Sequence, residues 1–235
     1  MARALSKLGY CSRSAARRLI IEGRVRLNGR VERDPEAPLQ ITKDRLQVDG
    51  KEITAARKIY LMLNKPRGVV TTVRDEKGRD TVYSLLKQQD RWLAPVGRLD
   101  KASEGLLLLT NDSGWAAQIT TPESHLDKTY HVHIRSRVDD EMLARLTAGV
   151  RESGELLKAK RVRLLREGQK NCWIEVVLDE GKNRHIRRMF AALGIEVLRL
   201  IRVAIGELRL GDLAKGTGRE LTPQEVKNLS TSKSK

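Results

Sequence analysis

Cysteine is scarce in this sequence. Cys11 and Cys172 are the only two, neither sits in a C-x-x-C pair, and no other ligand residues flank them in a recognisable spacing. That excludes a disulfide framework and a thiolate metal cluster, and both are expected as buried, reduced thiols. Aromatics are scarcer in proportion, with one Phe, three Trp and four Tyr in 235 residues. Such a chain is poorly equipped for an open β-platform on which successive bases stack along a single strand. No apolar run reaches the length of about 18 residues needed for a spanning helix. The N-terminus, MARALSKLGYCSRSAARR, also lacks the long apolar core and cleavage site of a secretory signal. A cytoplasmic protein with no membrane partner is the expectation.

Positive charge is what the sequence has in excess. Its 46 Lys and Arg outweigh 30 Asp and Glu, for a formal charge of +16, and a field of that sign attracts polyanions. Nucleic acid is therefore the first partner to consider. Hydrophobic residues at 40% and charged residues at 32% make an ordinary globular balance. The length suits one or two domains.

The first 30 residues are organised around that charge. Ser12 has the character of an N-cap, Arg13 to Glu22 reads as a short helix, and Gly23 supplies a stop. Ala16, Leu19 and Ile20 share one helical face while Arg13 and Arg17 lie four apart on another. Arg24-Val25-Arg26-Leu27 then alternates into Asn28-Gly29, a strong hairpin signal, and returns through Arg30-Val31. From Arg3 to Arg30 there are eight basic residues and one acidic. A surface presenting Arg13, Arg17, Arg18, Arg24 and Arg26 suits phosphates, although a merely solvated basic face is the competing explanation.

Further along, three segments carry polar residues where chemistry is plausible. Ile59 to Leu63 is an apolar run followed by Asn64-Lys65-Pro66-Arg67-Gly68 and the β-branched stretch Val69 to Val73, which predicts strand, turn, strand. The first segment of interest, V-G-R-L-D-K-A-S-E-G-L-L-L-L-T-N-D from Val96, holds Arg98, Asp100 and Glu104 before a buried strand at Leu106 to Leu109 and a helix capped by Asp112. On its own this loop fits a solvated Asp-Lys pair as well as a site. The second, Lys128 to Ile134, alternates as a strand, with Lys128, Tyr130, Val132 and Ile134 on one face and Thr129, His131 and His133 on the other. The two histidines lack further ligands at a metal spacing, so a polar strand face and no metal are expected. Tyr130 reads from pattern alone equally as a half-buried strand aromatic.

The third segment, E-G-K-N-R-H-I-R-R-M-F from Glu180, opens a helix whose buried stripe is Ile186, Met189, Phe190 and Leu193, ended by Gly194. Lys182, Arg184 and Arg188 occupy the remaining faces and suit phosphate contact, while Arg187 stands at the helix edge. Val197 to Ile205 is strand-like. Thr222-Pro223-Gln224-Glu225 has the cap, the first-turn proline and the third-position glutamate of a helix start. Ser230 to Lys235 is expected to fray.

Two resemblances organise these segments. S-x-x-A-x-R-x-I-x-x-G-x-V-x-x-N-G from Ser12 to Gly29 resembles the S4 RNA-binding domain, with a likeness reaching about Gly50. The three later segments together, V-G-R-L-D-K-A-S-E-G, K-T-Y and E-G-K-N-R-H-I-R-R-M, resemble the motifs of the RsuA-like ribosomal RNA pseudouridine synthases over residues 58 to 228. The resemblance implies an α+β chain. An S4 domain over residues 1–52 would precede a catalytic domain over 58–228 with a mixed, largely antiparallel sheet, and residues 51–57 would link them. It also implies isomerisation of a uridine in ribosomal RNA to pseudouridine without a cofactor, by a chain expected to be a monomer.

By the same resemblance Asp100 is the nucleophile, Arg187 the cation that keeps it ionised, Tyr130 the ring that packs on the target base, and Arg98 the residue that fills the space left when the base turns out. Attack at C1′, addition to the uracil ring and assisted elimination to a glycal all remain open for Asp100. The form of the third motif is closer to large-subunit (23S) than to small-subunit (16S) rRNA enzymes. Two rivals stand beside this reading: a non-catalytic S4-type RNA-binding protein, and an RNA hydrolase using Asp100 and Glu104 as paired carboxylates.

Overall fold

The computed structural model describes residues 1–72, 78–86 and 92–231. The N-terminal part holds helices α1 (Ala2–Lys7) and α2 (Arg13–Ile21) and strands β1 (Val25–Leu27), β2 (Arg30–Glu32), β3 (Leu46–Val48) and β4 (Lys51–Glu52), in the sheet order β2-β1-β3-β4. Ser12 caps α2 as its residue type predicts, accepting from the Ala15 amide at 3.1 Å. The hairpin turns through Asn28 and Gly29, both at positive φ. Leu5, Ala16, Ile20, Val25, Leu46 and Val48 form the small core beneath it.

Helix α1 was not anticipated; its first turn is fixed by the buried terminal amine, which donates to the Ala37 carbonyl at 2.7 Å. The expected linker also begins as sheet. Lys51 and Glu52 pair with β3, and Ile53 packs on the N-terminal core. The following residues are docked, since the Ala56 amide donates to Leu8 O and Lys58 Nζ to Lys7 O.

Beyond residue 58 the chain builds one large sheet. Its strands are β5 (Tyr60–Lys65), β6 (Ala94–Val96), β7 (Glu104–Thr110), β8 (Lys128–Ile134), β11 (Arg161–Glu167), β12 (Cys172–Leu178), β13 (Val197–Ile205), β14 (Leu208–Arg209) and β15 (Gly218–Glu220). The order is β11-β12-β8-β13-β7-β5-β15, with β6 on β7 and β14 on β13. The β13–β7 pairing is parallel and the other ladders in the sheet are antiparallel, the mixed sheet that the sequence implied. A separate hairpin is formed by β9 (Val150–Glu152) and β10 (Glu155–Leu157). The helices are α3 (Ser113–Thr120), α4 (Asp140–Ala148), α5 (His185–Ala191) and α6 (Pro223–Thr231).

Strand β7 is buried on both faces, which is why it reads as unbroken leucine. Leu106 and Leu108 pack with Trp115 and Ile119 of α3 and Leu229 of α6. Leu107 and Leu109 pack with Leu61, Leu63 and Leu99. On the other half of the sheet, Val132, Ile134, Ile174 and Val176 receive Ile186, Met189 and Phe190 of α5.

The strand expected at Val69 to Val73 does not form. Val70 makes a single bridge to Thr81, and Val73 lies outside the described residues. The reason is topological: both edges of β5 are taken, by β7 and β15, so the chain leaving β5 cannot fold back onto it, and local β propensity without a partner strand is too weak to prevail. At the other end, Ser230 and Thr231 belong to α6, their hydroxyls bonded back to Val226 O and Lys227 O. Helix α6 starts with the expected capping box between Thr222 and Glu225.

Candidate active site

The loop carrying Asp100 connects β6 to β7 and is pinned from several sides. Lys65, at the end of β5, is fully buried and donates Nζ hydrogen bonds to Pro66 O at 3.1 Å, Asp100 O at 3.1 Å and Ser103 O at 2.8 Å. Burial pushes this ammonium down to about 8 against the pull of the Glu104 and Asp100 carboxylates. Thr71 Oγ1 donates to Leu99 O at 2.8 Å, and the Gly68 amide donates to Lys101 O at 2.8 Å. Leu99 is buried as a plug beneath the loop. The chain around residue 100 is therefore set by fixed donors rather than left free.

Asp100 lines a cleft of about 590 Å³ whose floor is the sheet face bearing Lys128, Tyr130, Leu178, Leu200 and Arg202. Arg98 and Gly97 form part of its rim, Lys182 and Arg184 enter from the turn before α5, and His185, the first residue of α5, also lines it. The structure thus brings together Asp100, Tyr130, Arg98, Lys128, Lys182 and Arg184, six residues singled out from the sequence. Arg184 reaches this position in a left-handed conformation, φ 48°.

Arg187, expected as the cation that keeps Asp100 ionised, stands behind that loop and makes no ion pair with Asp100 among the described residues. Its Nη2 donates to Ala102 O at 3.0 Å and its Nη1 to Val197 O at 3.2 Å, so the guanidinium ties the Asp100 loop to the start of β13. Burial and then the Arg184 charge lower its pKa, with the Asp100 carboxylate acting in the opposite sense, so the two groups do sense one another. Arg188 is turned away into ion pairs with Glu152 and Glu155 on the β9–β10 hairpin.

Among the N-terminal arginines, Arg24 is held by Asp49 at 2.6 Å and by Glu22, Arg17 by Glu36, and Arg18 by Glu22 at 3.8 Å. Arg26 donates to Gly29 O. Arg13 is exposed and has no ion-pair partner among the described residues.

Glu104 does not join Asp100 in the cleft. It is 3% exposed, receives Arg199 bidentately at 2.7 and 2.9 Å and Lys215 at 2.8 Å, and these cations hold its carboxyl down to about 2. A paired-carboxylate hydrolase would need both groups about one water apart, and this arrangement denies it. Among the described residues no group of three or more potential metal ligands occurs, and no helix is long and apolar enough to cross a membrane.

Sequence reasoning missed Lys65, Arg202 and His185. A lysine closing the apolar run of β5 and an arginine inside the apolar β13 were available signals, since a charge in such a run must be satisfied or functional. His185 gave none; it is buried, and neither ring nitrogen has a hydrogen-bond partner.

Comparison with known proteins identifies the family of this fold. A family model described as RNA pseudouridylate synthase matches residues 59–192, and one for the S4 domain matches residues 2–46. Ribosomal large subunit pseudouridine synthase B of Bacillus subtilis is 39% identical over 96% of this chain and 93% of its own length. An RNA pseudouridine synthase of Aquifex aeolicus is 38% identical over 96% of this chain and 91% of its own. The crystal structure of a pseudouridylate synthase superposes with a TM-score of 0.67 at 30% identity, covering 97% of this chain and 98% of that one. The chain belongs to the RNA pseudouridylate synthase family. It is an RNA-binding isomerase of the RsuA-like type, with an N-terminal S4 domain preceding the catalytic fold.

Proposed function

We propose that this enzyme converts one uridine of large-subunit ribosomal RNA to pseudouridine, with Asp100 as the nucleophile. The observation that carries the assignment is the position of Asp100 on the cleft wall, on a loop that Lys65 and Arg187 both hold by its main-chain carbonyls. Moving the sugar from N1 to C5 requires a group that holds the reacting fragment while uracil reorients, and a fixed carboxylate is suited to that task. Tyr130, on the cleft floor, offers a ring face to the base and a hydroxyl near it. Arg98, exposed on the rim, is placed to replace the base turned out of the RNA. Arg187 supplies positive charge behind the carboxylate and fixes its loop, a positioning role.

No cofactor enters this scheme, and we propose that the chain acts as a cytoplasmic monomer, with residues 1–52 gripping RNA and 58–228 catalysing. The large-subunit target rests on the similarity to synthase B. Mapping of pseudouridine in rRNA from cells lacking the protein tests it: loss of one large-subunit site is expected, and loss of a small-subunit site instead moves the target. Asp100→Asn tests the chemistry. The variant should fold and bind RNA as wild type while forming no product, and retained turnover removes Asp100 from the mechanism.

A further inference from the structure

Arg202 sits directly across from Tyr130 in the β13–β8 ladder, and Lys128 precedes Tyr130 by two residues on the same face. All three line the cleft. Arg202 is only 6% exposed; its Nε donates to Leu106 O at 2.8 Å, and its Nη2 is buried without an acceptor. No carboxylate lies within ion-pair distance of it among the described residues. Lys128 is in the same position. Its Nζ reaches a main-chain carbonyl, Asp179 O, at 3.4 Å, while the Asp179 and Asp127 carboxylates act on it from beyond ion-pair distance. Burial lowers the Lys128 pKa, and Arg202 lowers it further.

Two cations side by side with no anion between them are costly in a partly dry site. Several other cations of the fold meet a carboxylate: Arg163 pairs with Glu175, Arg188 with Glu152 and Glu155, Arg199 with Glu104, and Arg219 with Glu225, whereas Arg187, like Arg202 and Lys128, meets main-chain carbonyls at the edge of the cleft. With no carboxylate of the described residues in ion-pair contact with either, Arg202 and Lys128 present an open pair of positive charges to an anion entering the cleft. Uracil is neutral near pH 7, so the anion that a nucleotide brings into the cleft is its phosphodiester. Two residues along an extended strand, about 7 Å, is also the scale of the single sugar separating a base from its phosphate.

We propose that Arg202 and Lys128 form a phosphate seat that grips the backbone of the turned-out nucleotide whose base packs on Tyr130. The seat rests on that reading of Tyr130. It supplies binding and register: Arg202 contributes a planar fork on the cleft floor and Lys128 a point charge beside it. The grip is made before chemistry begins, so its loss is read first in the affinity for RNA.

The test uses the full chain and a transcribed large-subunit rRNA, with dissociation constants measured across a salt series. Lys128→Gln and Arg202→Gln should each weaken binding several-fold and lower the log–log salt slope by about one unit. The double variant should lose less than the product of the single losses, because one phosphate is shared. Arg202→Lys should recover most of the slope and most of the affinity. Unchanged slopes with a fallen turnover number overturn the proposal and assign Arg202 to an uncharged atom of the base. Should Arg202→Gln fail to fold, Lys128→Gln and Arg202→Lys decide on the same criterion. Failure of the Asp100 assignment shows instead as product from Asp100→Asn, with these slopes unaffected.

Discussion

Lys65 Nζ lies 3.1 Å from the main-chain oxygen of Asp100, and no part of the lysine is exposed to solvent. The bond couples the ionisation of a buried base to the shape of the Asp100 loop. An ammonium can donate to all three of its carbonyl partners, whereas the neutral amine has only two N–H bonds.

A pH effect of known sign follows. The folded value of Lys65, about 8, is below its ordinary 10.5, so between those two values the unfolded chain binds more protons than the folded one. Stability from this group rises with pH across that window by on the order of 3 kcal/mol, while the loop loses one donor. Wild type should therefore gain melting temperature relative to Lys65→Met between about pH 8 and 10, even as its turnover declines. Parallel melting curves for the two proteins would remove Lys65 from this role.

Gly105 of β7 pairs with Arg202 of β13 at a close approach of the two backbones. Its φ is +99°, and a Cβ there would stand 2.2 Å from Arg202 O, a main-chain atom that cannot step aside. Gly105→Ala combines backbone strain with a hard clash, and a loss of at least about 3 kcal/mol is expected. Denaturant titration measures it; a loss under about 1 kcal/mol would show that the two strands separate easily.

Periodicity made much of this fold legible, because local patterns decide local elements. Ser12, Asp112 and the Thr222–Glu225 box mark helix starts where the side chain itself supplies the hydrogen bond, and Asn28-Gly29 marks a turn because both residues take positive φ. Strands β8 and β13 were readable to the residue. What local pattern cannot supply is sheet order, and Val69 to Thr72 illustrate it: their β propensity is real, but the neighbouring edge of β5 is occupied by distant β15. The site divides in the same way. Asp100 and Tyr130 were found through motif resemblance. The split between Arg13, exposed and without an ion pair among the described residues, and Arg24, bound to Asp49, depends on contacts 25 residues apart that no spacing rule reveals.

Glu104 offers a test that separates stability from chemistry. Its folded pKa of about 2 is below the ordinary 4.5, so the stability it contributes is complete above pH 4.5 and is lost as pH falls towards 2. Glu104→Gln should lower stability at neutral pH by about 3 kcal/mol and flatten the acid limb of the unfolding profile. Folded Glu104→Gln should still form pseudouridine, because the side chain faces Arg199 and Lys215 rather than the cleft. A stable variant without activity would revive the paired-carboxylate reading.

The N-terminal arginines should prove unequal in RNA binding. Arg24 already satisfies Asp49 bidentately and Glu22 besides, so a phosphate must displace two carboxylates to reach it. Arg13 faces solvent with no such competitor, and its charge is available at once. Arg13→Ala should accordingly reduce the salt slope of RNA binding by about one unit, whereas Arg24→Ala should change it by much less. The comparison is clean because both substitutions remove one positive charge and alter net charge identically. Equal slopes would mean that the Asp49 pair opens when RNA arrives, and that the hairpin, rather than helix α2 alone, carries the contact.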